Sequence, residues 1–410
     1  MKSMKKYRIH LLGLVHLPCT RKYMSCAFTQ KNYKMAQMLL SLGYEVIYYG
    51  AEGSTVPCTK FVETHTLKDI RDAWGEGDNR FEIGYNWHDK QFKHDINTKR
   101  EVVTLKYYSN AIKEINKTKR PDDFLMVTQG TYQKPIGDAV ELRLTLEPGI
   151  GYRGSYTRYR SFESTYIQYF TYGSEHPRQS IDGHYYDRVV GNYFDTKDFP
   201  FQDKKEDYFL FMGRMIKRKG VFTAIKATKA IGAKLILAGQ LSNEISIKEL
   251  NSYSHVEFVG FAGPEKRAEL MGKAKALFVP SLYLEPFAGV HAEAMLCGTA
   301  VITTNFGAFT DTFPDKVCGY RCDTLDDFVW AAKNIDKLAS PKVIRDWALS
   351  KFSMDVVKLQ YQKWFDDLMN WYESTQDSNV KGWHRVRDKE PEWRAELSRI
   401  QTSWCAQKID

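Results

Sequence analysis

The sequence predicts an α/β protein made of two doubly wound parallel-sheet domains. Three observations carry that expectation. The chain has 410 residues, more than one core usually organises, about 250–300, and 43% of them are hydrophobic, enough for a core in each half. A strand–loop–helix–glycine–strand unit opens the chain: an apolar run over residues 7–15, a helical pattern over 28–42 with Phe28, Met35, Met38, Leu39 and Leu42, a stop at Gly43 and a second strand over 44–49. The same unit begins again past the middle, with strands over 208–212 and 234–239 around a helix over 221–231.

The first strand has a competing reading. Lys2, Lys5, Lys6 and Arg8 precede the apolar run, and Cys19 follows, as in a short lipoprotein signal. His10 and His16 interrupt the run, Arg21 and Lys22 follow at once, and no small-residue cleavage site is present. A buried strand explains the pattern better. The loop over 16–27 then lies at the carboxyl end of that strand, where open α/β sheets place ligands.

Residues 60–123 are mixed and polar, with a Gly-rich insertion at 75–78 and helical segments around 98–117. His88 and His94 with Asp89 and Asp95 suggest a metal, but a solvated loop is the better account. A short strand is expected over 124–128. Gly149 and Gly151 permit close backbone approach. The tyrosines over 156–172, with Arg153, Arg158 and Arg160, read equally as a basic aromatic surface or as the edge of a core. The polar run 203–207 reads as a linker, which places the domains at 1–199 and 200–350, with helices and a charged tail over 351–410. In that tail Trp393, Leu397 and Ile400 share a helical face, alongside Trp383 and Trp404. Packing against the first domain is the favoured role for it.

The formal net charge is +9, a modest excess that fits an acidic partner such as a nucleotide, an anionic membrane surface or a nucleic acid, without choosing among them. The cysteines number 7 and show no C-x-x-C pair or metal spacing, so free thiols and a reducing cytoplasmic location are expected. No apolar run of about 18 residues occurs, which argues against a transmembrane helix. Peripheral membrane contact stays open.

The distinctive stretch is 279–302. A buried strand over 276–279 feeds a loop, the loop opens a helix near Val290, and the helix ends at Cys297-Gly298 before another strand over 300–303. Glu285 stands before the helix and Glu293 about one turn inside it, with Phe287-Ala288-Gly289 between them. The amides of Ala288, Gly289 and Val290 are expected at a helix N-terminus, where anions bind. Ionised carboxylates only accept hydrogen bonds, so they suit vicinal sugar hydroxyls. A second stretch, Gly213-Arg214-Met215-Ile216-Lys217-Arg218-Lys219-Gly220, offers a guanidinium fork and a compact ammonium between two glycines, a set suited to a diphosphate. Lys217 and Arg218 are expected to face solvent.

The first stretch resembles the E-x7-E motif of retaining glycosyltransferases of the GT-B fold, most closely glycosyltransferase family 4. The second resembles that family's G-R-x4-K-G motif. Asp187 to Asp195 is similar to the segment that ends the family's first domain, and Phe352-Ser353 with the W-F-D-D-L pattern is similar to its last helices. The resemblance implies two Rossmann-like domains facing a cleft, with a C-terminal helix crossing back to the first. It implies transfer of a hexosyl group from a UDP- or GDP-sugar to a glycan or glycolipid hydroxyl, with retained configuration. Glu285 would then touch the donor sugar and Glu293 the ribose. Arg214 and Lys219, beside Gly213, would hold the diphosphate, and Phe261 with Ala262 would flank the base. Arg214, Lys219 and Glu285 are the expected catalytic set; Phe287, Ala288, Gly289 and Val290 complete the donor site.

Two departures stand out. Pro18-Cys19-Thr20-Arg21-Lys22 replaces a family Gly-Gly pair. No histidine follows the 124–128 strand where several members carry one, which leaves Gln129, Thr131 or Gln133 for that position. Arg21, Gln129, Thr131 and Tyr152 are the acceptor-side candidates. No Asp-x-Asp triad occurs, which agrees with a metal-independent enzyme, so no metal or other cofactor is expected and the nucleotide-sugar is a substrate. Three rivals follow: a transferase acting on modified bases in DNA, a nucleotide-sugar epimerase, and a non-catalytic sugar-nucleotide binder.

Overall fold

The computed structural model describes residues 6–23, 26–74, 98–175 and 184–376. The 75–78 insertion, His88, Asp89, His94 and Asp95, and the tail carrying Trp383, Trp393, Leu397, Ile400 and Trp404, lie outside the described residues.

Two parallel sheets organise the chain, matching the expected α/β, doubly wound, GT-B-like class. The first contains β1 (Arg8–Leu12), β2 (Glu45–Ala51), β3 (Lys60–His65), β4 (Phe124–Met126), β5 (Leu144–Ile150), β6 (Tyr159–Phe162) and β7 (Arg188–Val189), in the order β3-β2-β1-β4-β5-β6-β7. The second contains β8 (Phe209–Met212), β9 (Leu235–Ala238), β10 (Val256–Phe258), β11 (Ala276–Val279), β12 (Ala300–Thr304) and β13 (Gly319–Cys322), in the order β10-β9-β8-β11-β12-β13. β8, β9, β11 and the first residues of β12 are continuously buried apolar runs. Strands covered by helices on both faces require that pattern. In each sheet the order reverses once, between β1 and β4 and between β8 and β11, and ligands of such sheets bind beyond the strand ends at these points.

The first strand is shorter than the apolar run suggested. After Leu12 the chain leaves the ladder at Gly13, whose position admits no side chain: a Cβ there would lie 2.5 Å from both the Tyr48 hydroxyl and the Tyr49 carbonyl oxygen. The first helix, Ala27–Ser41, buries Met35, Ala36, Met38 and Leu39. Phe28, expected on that buried face, instead faces the cleft described below. β3 was not legible in the polar 60–123 region, because an edge strand with alternating exposure has no apolar run. β5 includes Glu147-Pro148-Gly149.

Residues 341–376 form two helices, Pro341–Phe352 and Met354–Gln376, broken at Ser353. The break is pinned by Phe194, whose N–H donates to the Phe352 carbonyl at 2.9 Å and whose carbonyl accepts from Met354 N–H at 3.0 Å. The second helix crosses to the first sheet. Val357, Tyr361, Trp364, Phe365, Leu368 and Trp371 join Tyr7, Leu11 and Phe124 in one buried cluster, and Trp364 Nε1 donates to the Tyr186 carbonyl at 2.8 Å.

Of the two readings of the tyrosines over 156–172, the edge of a core describes most of the segment. Arg160 is buried and pairs with Glu175 at 2.7 Å and Asp187 at 3.1 Å, and Tyr159 is buried among Tyr186 and Trp371. Arg153 and Arg158 remain exposed. Cys19, Cys26, Cys58, Cys297, Cys318 and Cys322 are free thiols. Among the described residues no helix is long and apolar enough to cross a membrane, and no group of three His, Cys, Asp or Glu is placed to hold a metal ion.

Candidate functional site

A cleft of about 640 Å³ lies between the two sheets, at the carboxyl ends of their strands. One wall comes from the second sheet. β11 runs into a loop, and the loop into the helix Gly289–Leu296, as the glycine and small-residue pattern predicted. Ala288, the residue before the helix, is held at φ +61°, an uncommon conformation for a side-chain-bearing residue. The first turn of any helix leaves its N–H groups without intrahelical partners, and these begin at Gly289 on the cleft wall.

Glu285 is buried, and its Oε1 accepts from Lys219 Nζ at 2.5 Å and from Ser281 Oγ at 2.7 Å. Lys219 ends a short turn, Lys217–Lys219, after which Gly220 leads into the helix Val221–Ala230. Glycine is required at 220 twice over: φ is +75°, and a Cβ would lie 1.9 Å from the Pro280 carbonyl oxygen. That close approach sets the basic turn against the Glu285 loop. Burial opposes the Lys219 charge, but Glu285 and Tyr283 hold its pKa above the ordinary value. The Tyr283 ring also lies under Arg218, at 4.8 Å.

Glu293 faces the same cleft, so the two carboxylates spaced in sequence do converge. Its Oε2 accepts from Nη2 of Arg267, on the helix Pro264–Lys273. Arg267 has no sequence signal. Its Nε is buried without a hydrogen-bond partner among the described residues. His291, in the same helix as Glu293, is buried against Phe287, Phe309 and Phe352, and burial lowers it to about 4.

The opposite wall comes from the first sheet. Ala27, Gln30, Lys31 and Lys34 form one face of the first helix toward the cleft, the spacing that puts residues on one stripe. Lys31 pairs with Glu163 at 2.7 Å. Lys34 Nζ donates to Asn192 Oδ1 at 3.0 Å and to the Tyr193 carbonyl at 2.8 Å. Burial lowers Lys34 to about 8, although Glu293 and Glu163 act against the shift. None of Lys31, Lys34 or Glu163 was singled out from sequence. The available signal was the stripe Ala27, Gln30, Lys31 and Lys34 at i, i+3, i+4 and i+7, which runs along the helix beside the buried Met35 and Met38.

Glu285, Phe287, Ala288, Gly289, Val290, Glu293, Arg21 and Tyr152 therefore line one cleft. Lys219 reaches it through Glu285. Gly213, Arg214, Phe261, Gln129 and Thr131 are not among the residues lining it. Arg214 is half-buried beside Gly213, and its side chain makes no hydrogen bond or ion pair among the described residues. Arg21 is exposed and chelated by Asp198 at 2.9 and 2.7 Å. Gln133 does not face the cleft. It is fully buried, accepts from the Thr128 and Gln129 N–H groups at 2.8 and 3.1 Å, and donates to the Gly13 carbonyl at 2.7 Å, so it braces the ends of β1 and β4. Tyr152 donates to Glu147 at 2.9 Å. Burial pushes Glu147 up to about 7, against the hydrogen bonds of Tyr152, Tyr156 and Thr157.

Two sheets wound in this order, with a cleft at both switch points, define the GT-B architecture. Residues 194–348 match the family model described as glycosyl transferases group 1, so the second half of the chain carries a domain of that type. An uncharacterized glycosyltransferase of Methanocaldococcus jannaschii is 29% identical over 171 residues, covering 39% of this chain and 41% of that protein. The O-antigen chain mannosyltransferase of Salmonella typhimurium is 25% identical over 190 residues, covering 45% and 52%. The first of these matches thus spans about two fifths of its relative's length. Over nearly the whole chain the likeness is one of fold. AviGT4, a glycosyltransferase involved in avilamycin A biosynthesis, superposes with a TM-score of 0.62 at 19% identity, covering 89% of this chain and 98% of that one. Sucrose-phosphate synthase from Thermosynechococcus elongatus gives 0.63 at 16%, covering 89% and 100%. Alr3699/HepE of Anabaena, solved in complex with UDP, gives 0.58 at 12%, covering 87% and 98%.

Proposed function

We propose that the protein is a glycosyltransferase that moves a hexosyl group from a nucleotide-sugar to an acceptor hydroxyl with retention of anomeric configuration. The observation that carries the reading is the convergence of Glu285 and Glu293 on one cleft, each tied to a cation, Lys219 and Arg267, beside the start of the Gly289–Leu296 helix. Glu285 takes the sugar hydroxyls and Glu293 the ribose. Lys219 and Arg214 counter the diphosphate charge, with the Gly289 and Val290 amides adding fixed dipoles.

In this scheme the bond between the anomeric carbon and the phosphate oxygen breaks first. The leaving phosphate oxygen accepts the acceptor's proton as the acceptor oxygen bonds to the same face of the sugar. The protein's task is to stabilise charge on the leaving group, and side chains do that without a metal. The UDP complex of the HepE neighbour supports a nucleoside diphosphate donor. The donor is a UDP- or GDP-sugar drawn from a cytoplasmic pool, and a glycan or glycolipid acceptor suits the first-sheet wall, where the Tyr152 and Phe28 rings meet at a tilt with centroids 5.4 Å apart.

The test is release of nucleoside diphosphate from a panel of UDP- and GDP-sugars, with and without oligosaccharide acceptors, and product configuration read by NMR. Acceptor-dependent release with an unchanged anomer supports the proposal. Interconversion of sugars without any acceptor points instead to an epimerase and refutes it.

A further inference from the structure

We infer that Lys34, on the first helix, contacts the diphosphate of the nucleotide from the wall opposite the Gly289–Leu296 helix. The inference rests on the proposed function and deepens it by giving the first sheet a share in holding the leaving group.

The charge pattern of the cleft points to Lys34. Arg21 pairs with Asp198, Lys31 with Glu163 and Arg267 with Glu293. Lys34 has no carboxylate within ion-pair distance among the described residues; its two acceptors, Asn192 Oδ1 and the Tyr193 carbonyl, are neutral. An ammonium carries three N–H donors, so one is left after these two bonds. A desolvated cation without a counter-ion is costly, and anchoring residues 192–193 alone needs a donor, not a charge.

The position selects the anion. Lys34 Nζ lies 4.5 Å from the Phe194 ring centroid. A Cβ at Gly289 would meet Cζ of the same ring at 3.3 Å. Lys34 and the start of the helix therefore both lie against Phe194. Two further sources of donors line the same cleft: the start of the helix at Gly289 and Val290, and the guanidinium of Arg267. Glu293, assigned to the ribose, is close enough to influence Lys34. In a nucleoside diphosphate the group next to the ribose is the diphosphate, and a multiply charged oxyanion suits an ammonium, a guanidinium N–H and a helix N-terminus together.

The test is titration calorimetry on wild type, Lys34→Met and Lys34→Arg with UDP, GDP, ADP, inorganic pyrophosphate and the parent nucleosides. The nucleoside diphosphate that binds wild type is expected to lose roughly tenfold or more in Lys34→Met, one lost charge-assisted contact, with nucleoside affinity unchanged and most of the loss restored in Lys34→Arg. A pH series adds a readout that a structural role does not move. Wild-type affinity for that diphosphate should fall several-fold between about pH 7 and 9.5 as the ammonium deprotonates, whereas Lys34→Arg stays flat. Lys31 and Glu163 on the first-sheet wall, and Arg267 and Glu293 on the other, are the charged groups around Lys34. All four persist in the variant, so the difference isolates Lys34. Unchanged diphosphate affinity in Lys34→Met, or the same pH fall in Lys34→Arg, overturns the inference. If Lys34→Met does not fold, the Lys34→Arg pH profile decides alone. Wild type that binds neither pyrophosphate nor any of the nucleotides overturns the proposed function as well; wild-type binding with unaltered variants overturns only the role of Lys34.

Discussion

Replacing Glu293 by Gln separates recognition of the ribose from recognition of the phosphates. The Glu293 carboxylate uses Oε2 for Arg267, leaving Oε1, which lies 3.9 Å from a Cβ placed on Gly289, free to accept from ribose hydroxyls at the helix start. A hydrogen bond to a charged acceptor contributes about 1.5–3 kcal/mol, which is roughly 10- to 150-fold in Kd. The Arg267–Glu293 pair is partly exposed, at 26% and 12%, so its loss should cost the fold only about 1 kcal/mol and leave a folded protein to measure. Calorimetry with the cognate nucleoside diphosphate should show that loss in Glu293→Gln, while inorganic pyrophosphate, which has no ribose, binds as to wild type. Equal losses for both ligands, or none for the nucleotide, would refute the ribose assignment.

Arg214→Ala should cut turnover by on the order of a hundredfold, the usual scale for one lost oxyanion partner, with little change in melting temperature, since its side chain has no partner among the described residues; turnover near wild type would remove Arg214 from the site. Glu147 should make stability pH-dependent. Its pKa is raised from 4.5 to about 7 by burial, so its contribution is complete below about pH 4.5 and is lost as pH rises through 7, on the order of 3 kcal/mol in all. Melting temperatures taken from about pH 5 to 8.5 should therefore fall more steeply in wild type than in Glu147→Gln, and parallel curves would show that Glu147 stays ionised.

Much of the architecture is legible in the sequence because its signals are local. Continuous apolar runs mark strands covered on both faces, as in β8 and β11, and Gly220 and Gly298 mark turns whose φ is positive. The spacing of Glu285 and Glu293 survives folding because one loop and one helical turn join them. Partners brought by other elements are not legible. Nothing near Arg267 in sequence announces Glu293, and Lys34 gains its meaning only when Asn192, Phe194 and Gly289 close around it. Gln133 shows the reverse failure: a polar residue near the right strand end spends its side chain on backbone groups just beyond β1 and β4, at Gly13 and Thr128. Arg160 likewise reads as a surface cation until Asp187 and Glu175 bury it.

A thermal-shift screen of wild type against common nucleotide-sugars tests the binding of a donor between the two sheets most directly. A ligand present at about 100 times its Kd adds roughly 2.7 kcal/mol to the folded state, several degrees in melting temperature. The expected result is stabilisation by one base-and-sugar combination above the rest, reduced in Glu285→Ala and Glu293→Ala. Stabilisation by none of them, or a shift that persists undiminished in both variants, would contradict the assignment of the cleft.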